Sequence, residues 1–339
     1  MMIAAPMRSI PMLILSALCI AVAMPAAGQD TQPVLTGDVR IHDPSVIMVE
    51  GGYVAYFTGQ EGGVYRGAIR AKTSPDGIAW TDAGAIGKGL PKWVRQTLGY
   101  QPPNIWAPSV GKHGDTWYLY YSVSSFGINT SAIGLMTTKH LDPLRPGENW
   151  QDQGLVLASN GRDDYNAIDP WRIDTADGRA FLAYGSFWDG IKMNELDPIS
   201  GMALDPAGPQ LDLASRQGQG IEAASIVQHD GYFYLFVSFD QCCKGLDSTY
   251  NIRVGRADAV TGPYIDADGV PMLAGGGGAF LASTGRFIGP GGQEAFLTSS
   301  GEMLAYHYYD GADLGVAKLQ IAPIHWTKDG WPVLDDLPD

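Results

Sequence analysis

The chain has 339 residues, of which 45% are hydrophobic, and its 36 acidic against 22 basic side chains give a formal net charge of −14. A chain of this length buries roughly three quarters of the surface that it exposes when unfolded, so it needs neither disulfides nor a metal to hold it together. The negative charge excludes a nucleic-acid partner, whose binding draws on clustered Lys and Arg, and it favours a neutral polymer over an acidic one as a substrate.

The N-terminus has the pattern of an export signal. Arg8 precedes an apolar run over residues 10–24, and small residues at 25–28 follow it, as is typical of a cleavable signal peptide. We therefore predict a signal peptide over residues 1–28 and a single mature domain over residues 29–339, secreted or periplasmic. No membrane span is predicted, because this run is short and no later stretch reaches about 20 apolar residues.

Aromatic-rich strand patterns recur five times along the rest of the chain, with Asp-Gly pairs between them that suit hairpin turns. They cover residues 52–59, 116–124, 180–188, 231–238 and 303–309. A period of about 50 to 70 residues suits a unit of four strands, so we predict an all-β fold, a five-bladed β-propeller. A β-sandwich and a β-helix are the alternatives.

A second repeat lies just before these strands and contains three acidic residues. Its copies cover residues 41–46, 105–110, 167–172, 220–226 and, more loosely, 287–290. In a propeller these segments begin equivalent strands, which converge at one mouth of the central channel. Asp43, Asp169 and Glu222 are therefore expected to face one another.

Three carboxyl groups in one concave site shift each other's pKa, so that at least one stays protonated near neutral pH. An inverting glycosidase needs such a pair, one carboxylic acid and one carboxylate, separated by roughly 6.5 to 9.5 Å to admit a water molecule. The alternative is that the Asp-Pro pairs only cap backbone amides at turns. The matched positions of the three acids in the repeat favour catalysis.

Short motifs between residues 41 and 331 carry a family resemblance. They are Ile41-His-Asp-Pro-Ser45, Ile105-Trp-Ala-Pro108, Tyr165-Asn-Ala-Ile-Asp-Pro170, Gly185-Ser-Phe-Trp188, Ile221-Glu-Ala223, Cys242-Cys-Lys-Gly245, Ser248-Thr-Tyr-Asn-Ile-Arg253, Gly262-Pro-Tyr264 and His307-Tyr-Tyr-Asp310. Together they resemble glycoside hydrolase family 43. The Cys-Cys and Tyr-Asn-Ile-Arg motifs are similar to those of its endo-1,5-α-L-arabinanase branch.

This resemblance implies a five-bladed propeller that hydrolyses α-1,5-L-arabinofuranosidic bonds in arabinan with inversion. It implies that Asp43 is the general base, that Glu222 is the general acid, and that Asp169 orients Glu222 and raises its pKa. Endo action is expected. The alternatives are an exo-acting α-L-arabinofuranosidase or β-xylosidase on the same fold, and a sugar-binding propeller without catalysis.

The resemblance also implies a calcium ion in the channel near His307, and no organic cofactor. The residues alone favour another interpretation, because a single His in an aromatic strand is usually a hydrogen-bonded core residue. Calcium prefers several oxygen ligands, so a site built on His307 would be completed largely by water.

Sugar rings stack on aromatic faces, and two aromatic residues, Trp106 and Phe126, match family positions near the cleft. Asn166, Trp171, Ser186 and Trp188 are further candidates for substrate binding. The alternatives are that the aromatic residues pack between blades and that Ser186 caps a strand. The expected partner is a neutral arabinose-containing polysaccharide or oligosaccharide, bound by a monomer.

Three positions depart from the family pattern. Ala224 stands where the acid motif commonly has Pro, and Gly292 follows Gly-Pro-Gly where a His is common. Trp171 is bulkier than the expected residue and is predicted to narrow the cleft. These departures leave the choice between endo and exo action open.

Cys242 and Cys243 are the only cysteines of the predicted mature chain. Adjacent cysteines cannot join distant segments, so they form a vicinal ring, pair with another molecule or remain thiols. We predict a local structural role in a loop.

Overall fold

A computed structural model describes Met1 and residues 31–59, 68–87 and 89–338. Apart from Met1, the predicted signal peptide lies outside these residues, and its prediction stays a prediction. Residues 31–339 form one compact unit. No helix within the described ranges is long and apolar enough to cross a membrane.

Strands make up nearly all of the regular structure, and they form five sheets in chain order. Blade 1 consists of β1 (Thr36–Gly37), β2 (Ser45–Val49), β3 (Gly52–Phe57), β4 (Arg70–Ser74) and β5 (Ala79–Ala85). A short helix, α1 (Lys92–Leu98), leads into blade 2. Blade 2 consists of β6 (Asn104–His113), β7 (Thr116–Ser124), β8 (Ser131–Thr138) and β9 (Gln151–Ser159).

The remaining three blades repeat the four-stranded meander. Blade 3 consists of β10 (Trp171–Asp174), β11 (Ala180–Tyr184), β12 (Ile191–Leu196) and β13 (Leu211–Ala214). Blade 4 consists of β14 (Ile221–His229), β15 (Tyr232–Phe239), β16 (Asn251–Ala257) and β17 (Gly278–Leu281). Blade 5 consists of β18 (Phe287–Thr298), β19 (Gly301–Asp310), β20 (Val316–Trp326) and β21 (Pro332–Leu334). The predicted five-bladed propeller is confirmed.

The aromatic strands of the repeat are buried on both faces because each lies between two neighbouring blades. In β7, Tyr118 and Tyr120 pack into the cluster shared with blade 3. The alternating residues Leu119, Tyr121 and Val123 pack into the cluster shared with blade 1. Each pair of adjacent blades shares such a cluster within the described residues. Burial of apolar surface at these interfaces therefore holds the sheets together.

The segment that precedes blade 1 ties blade 1 to blade 5. Buried Gln32 accepts a hydrogen bond from Tyr306 Oη at 2.8 Å, and its backbone N–H donates to Asp336 O at 2.8 Å. Ile41 N–H also donates to Ala317 O at 3.2 Å. These contacts close the ring and bring the segment that contains Asp43 against blade 5.

Candidate active site

At the hub, each blade has a residue in the left-handed region, which lies just before β2 and β10 in blades 1 and 3 and within β6, β14 and β18 in blades 2, 4 and 5, where the ladder shifts register. These residues are Asp43 (φ 50°), Ala107 (φ 40°), Asp169 (φ 58°), Ala223 (φ 54°) and Gly292 (φ 57°). Non-glycine residues rarely take up this conformation, and it is retained where the surrounding structure holds it. The bend turns the side chains on either side of it toward the channel mouth.

The bends also correct the predicted equivalence of the three acids. Asp43 and Asp169 occupy the left-handed position, whereas Glu222 lies one residue before it, where blade 2 has Trp106. The fifth copy of the repeat is centred on Gly292 rather than on residues 287–290. The acids share one mouth, but they reach it from two different positions of the repeat.

Hydrogen bonds between neighbouring blades fix these bends. In four of the five junctions, the N–H of the left-handed residue donates to a side chain of the preceding blade, near the C-terminal end of β3, β7, β15 or β19. The pairs are Ala107 N to Thr58 Oγ1 (2.8 Å), Asp169 N to Ser122 Oγ (2.9 Å), Gly292 N to Ser238 Oγ (3.0 Å) and Asp43 N to His307 Nδ1 (3.2 Å).

The junction of blades 3 and 4 differs, because Gly185 occupies the acceptor position. A Cβ atom at Gly185 would lie 2.3 Å from Gly190 O, so no larger residue fits. Here Ala223 N–H donates to Asp169 Oδ2 instead, at 3.1 Å. Asp169 is thereby held against the residue that follows Glu222.

The mouth of the channel opens into a cleft of about 850 Å³. Eight of the nine residues predicted for catalysis or sugar binding line it: Asp43, Trp106, Phe126, Asn166, Asp169, Ser186, Trp188 and Glu222. Trp171 does not line it and instead packs between blades 3 and 4, where its indole N–H donates to Ile226 O at 3.1 Å. The prediction that Trp171 narrows the cleft is therefore wrong, because the left-handed bend at Asp169 turns the next strand residues away from the mouth.

Asp43 is surrounded by groups that stabilise its charge. Its Oδ2 accepts a hydrogen bond from Thr58 Oγ1 at 2.7 Å and lies 2.9 Å from His42 Nδ1. Burial acts to raise the pKa of Asp43, but the charge of and the hydrogen bond from His42, together with His307 and Thr58, lower the pKa to about 2. Asp43 is therefore a carboxylate throughout the neutral range.

Glu222 is held between two hydroxyl groups. Its Oε2 accepts a hydrogen bond from Ser186 Oγ at 2.6 Å, and its Oε1 accepts one from Tyr250 Oη at 2.6 Å. Burial raises the pKa of Glu222, the two hydrogen bonds lower it, and the charge of Asp43 raises it; the net direction is upward. Glu222 thus tends to keep its proton while Asp43 does not.

Asp169 completes the group of acids. Its pKa is raised well above the usual range, by burial first and then by the charges of Glu222 and Asp43. Because Asp169 and Glu222 interact strongly, they titrate as a pair that holds a proton to higher pH than either would alone. The site therefore combines one ionised carboxylate with a pair of acids whose pKa values are raised, an arrangement that suits acid/base hydrolysis.

Two aromatic residues form one edge of the cleft. The ring centroids of Trp106 and Phe126 lie 5.0 Å apart, and Phe126 is 68% exposed. An aromatic face that remains this exposed at a cleft is available for stacking on a sugar ring. Trp188 is half-buried at the same cleft.

The two polar candidates, Asn166 and Ser186, already bind neighbouring side chains. Asn166 Oδ1 accepts a hydrogen bond from Ser131 Oγ at 2.6 Å, so its carbonyl is engaged. Ser186 contacts Glu222 rather than capping a strand.

His307 lies beneath Asp43 and is fully buried. Its ring stacks on that of His42 with centroids 3.8 Å apart, its Nδ1 accepts the Asp43 N–H, and its Nε2 has no hydrogen-bond partner among the described residues. A Cβ atom at Gly292 would lie 2.7 Å from this ring. The position that commonly carries a His in the family therefore has no room for a side chain here.

These residues do not fit calcium as they stand. His42, Asp43 and His307 bring one ligand atom each within 4.8 Å of one another, but two of the three are nitrogens, and calcium prefers oxygens. With Nδ1 accepting a hydrogen bond, the proton of a neutral His307 ring lies on Nε2, which then has no lone pair for a cation. Calcium binding stays a prediction, and no step of the reaction is derived from it.

Sequence reasoning missed two residues that bind the acids, Thr58 and Tyr250. A signal existed for Thr58, because a polar residue lies near the end of β3, β7 and β15, at Thr58, Ser122 and Ser238. Tyr250 lies inside the Ser248–Arg253 motif, but only the fold shows that this motif faces Glu222.

Comparison with known proteins places this geometry in a family. The profile described as "Glycosyl hydrolases family 43" matches residues 31–332. The chain belongs to glycoside hydrolase family 43. It is therefore a glycoside hydrolase, as the motifs indicated.

Individual members of family 43 resemble the chain over most of their length. An extracellular endo-α-(1→5)-L-arabinanase from Bacillus subtilis is 39% identical over 296 residues, which cover 86% of this chain and 87% of the relative. An extracellular exo-α-(1→5)-L-arabinofuranosidase from Cellvibrio japonicus is 35% identical over 312 residues, covering 88% and 87%. The solved structure of a family 43 endo-arabinanase from Bacillus licheniformis has a TM-score of 0.81 at 40% identity, covering 89% of this chain and 99% of that one.

Proposed function

We propose that this hydrolase cleaves α-1,5-L-arabinofuranosidic bonds in arabinan, with inversion and within the polymer chain. The observation that carries the proposal is the contrast, in one cleft, between Asp43, whose pKa is lowered, and the Glu222–Asp169 pair, whose pKa values are raised. The substrate class is supported by the relatives from Bacillus subtilis and Cellvibrio japonicus, both of which are named for α-1,5-arabinan linkages.

In this proposal Asp43 is the general base and takes a proton from the attacking water. Thr58 and His42 hold its carboxylate in one orientation, so the lone pair that accepts the proton has a fixed direction. Asp43 is ready for this role because it stays ionised at any pH at which the protein is expected to work.

Glu222 is the general acid and donates its proton to the oxygen of the leaving sugar. The burial of Glu222 and the charge of Asp43 both oppose its ionisation and raise its pKa, which helps it to keep the proton that it donates. Asp169 accepts the Ala223 N–H and titrates together with Glu222, so that the pair holds a proton to higher pH. Trp106 and Phe126, together on one edge of the cleft, bind sugar rings of the substrate.

The reaction class is tested with debranched arabinan and NMR of the first products. An inverting enzyme releases the β-anomer of arabinofuranose at the new reducing end before mutarotation. An initial α-anomer would contradict inversion, and the absence of any hydrolysis would contradict the proposed function.

Endo action rests on the first of the relatives above, an endo-arabinanase at 39% identity, and exo action is the second candidate because the 35% identical relative is named as exo-acting. A time course of products on linear arabinan separates them. Endo cleavage yields a range of oligosaccharides first, whereas a single short product from the first minutes would establish exo cleavage.

We also propose export through a signal peptide over residues 1–28, in line with relatives that are named extracellular, and action as a monomer. N-terminal sequencing of the exported protein would begin near residue 29 if the export proposal holds. Light scattering of the same sample checks the monomer.

A further inference from the structure

Cys242 and Cys243 form a disulfide within the loop that follows β15, and both residues line the cleft. Of the three arrangements open to adjacent cysteines, the fold thus contains the vicinal ring. The roles proposed above for the three acids and the aromatic residues do not use it.

The ring is connected to the general base by a short series of contacts. The Cys243 N–H donates to Tyr309 Oη at 2.7 Å, and Tyr309 Oη lies 2.9 Å from His42 Nε2. The other nitrogen of His42, Nδ1, lies 2.9 Å from Asp43 Oδ2. Cys243 Sγ itself lies 3.7 Å from His42 Nε2. The disulfide therefore contacts both residues that stand behind Asp43.

A bond between neighbouring cysteines restricts the peptide that joins them, and with it the direction of the Cys243 N–H. Cys243 has a φ of 67°, in the left-handed region that non-glycine residues rarely adopt. Without the covalent ring, this residue is free to leave that conformation. Its N–H would then turn away from Tyr309, and Tyr309 would no longer hold His42 and Asp43 in their present orientation.

We propose that the Cys242–Cys243 disulfide is a positioning element for Asp43, acting through Tyr309 and His42, and that its reduction lowers turnover while leaving substrate binding largely intact. This inference rests on the proposed function, in which Asp43 activates water. Reduction by a dithiol transfers two electrons and two protons: the sulfur–sulfur bond breaks, two cysteine thiols form, and the reductant becomes its own cyclic disulfide.

The test compares kcat and KM on debranched arabinan for the oxidised and the dithiothreitol-reduced wild-type protein. The redox state is read by mass spectrometry of the peptide that contains both cysteines. Small displacements of a catalytic group cost large factors in rate, so we expect kcat to fall by about tenfold, with KM changed less than about twofold. Reoxidation should restore the rate.

Variants separate a positioning role from a general loss of structure. The double variant C242S/C243S should match the reduced protein and show no response to dithiol. Tyr309→Phe keeps the disulfide but removes the hydroxyl through which the Cys243 N–H is connected to His42. It should lower kcat in the same way. The matched control is Leu246→Ala, at a 52% exposed position in the same loop outside the cleft lining, and it should keep the wild-type response.

The outcomes are distinct. Equal kcat in the oxidised and reduced wild-type protein would overturn the inference, and so would a rise in KM at constant kcat, which would make the ring a sugar contact. If the double variant does not fold, the redox comparison and Tyr309→Phe decide. A wild-type protein inactive on arabinan in both states would count against the proposed function instead.

Discussion

The two sides of the cleft shift the pKa of a buried carboxyl group in opposite directions. On one side, Asp43 is surrounded by two imidazole rings and a hydroxyl, and its pKa falls to about 2. On the other side, Asp169 and Glu222 lie beside each other, and the pKa of each is raised. Burial disfavours the charged form on both sides, so the neighbours, not depth, decide which carboxyl keeps its proton.

The two sides of the cleft also differ in which group accepts the backbone N–H of the left-handed residue. At Asp43, a side chain of the preceding blade, His307, accepts the N–H of the bend, so both carboxylate oxygens remain for Thr58, His42 and the substrate side. At the junction of blades 3 and 4, Gly185 offers no acceptor and Asp169 uses one carboxylate oxygen for the bend. Asp169 is therefore fixed by the architecture, which suits a residue that influences Glu222 without touching the water nucleophile.

The largest effect on activity is expected from removal of the ionised carboxylate of Asp43. Asp43→Asn should lower kcat on debranched arabinan by at least roughly a thousandfold, because the amide cannot accept the proton of the attacking water. Asp230→Asn, a change at an acid whose side chain is 89% exposed, is the matched control and should keep the wild-type rate. An Asp43→Asn protein with more than a tenth of that rate would exclude this residue as the base.

Removal of the carboxyl group of Glu222 should lower the rate by a factor that depends on the leaving group of the substrate. Glu222→Gln should lower the rate on arabinan by about a hundredfold or more, because the sugar leaving group needs a proton. On an aryl arabinofuranoside with a good leaving group, the loss should be under about tenfold. Initial rates on both substrates give the ratio, and similar losses on the two would show that Glu222 is not the acid.

The raised pKa of Glu222 can be tested by removing the hydroxyl groups that donate hydrogen bonds to its carboxyl group. Tyr250→Phe removes the hydrogen bond to Oε1, which stabilises the ionised form, so the pKa of Glu222 should rise further. The loss of activity at high pH reports deprotonation of the acid, and it should therefore move to higher pH in the kcat/KM profile. Ser186→Ala should shift it in the same direction; an unchanged or lower position in both would refute the assignment.

The smallest effect is expected at the rim of the cleft. Phe126→Ala should raise KM by about three- to tenfold with little change in kcat, because a stacking face contributes about 1 kcal/mol to substrate binding and does not act on the acids. Leu144→Ala is the control, since Leu144 is 88% exposed and lies outside the cleft lining. A fall in kcat without a change in KM would place Phe126 in the chemistry instead.

Much of the fold is predictable from the sequence because its signals are local. Alternating aromatic residues, as in β7, are a two-residue pattern, and the hairpin turns between strands depend on adjacent Asp and Gly residues. Because this strand unit recurs five times, few all-β architectures are compatible with the sequence. The three acids were predictable for the same reason, since each lies in a short repeated segment beside the bend at the hub.

Only the tertiary structure decided the environment of each acid. The one-residue offset of Glu222 from Asp169 comes from bends that pair with a neighbouring strand, and the contacts of Thr58, His42 and Tyr250 with the acids join residues of different blades or strands. A pKa depends on all charges and dipoles within a few ångströms, whatever their separation along the chain. The sequence therefore determined which chemical groups are present and in which repeated unit they lie, and folding determined which acid has a lowered pKa, which acids have a raised pKa, and why Trp171 lies outside the cleft lining.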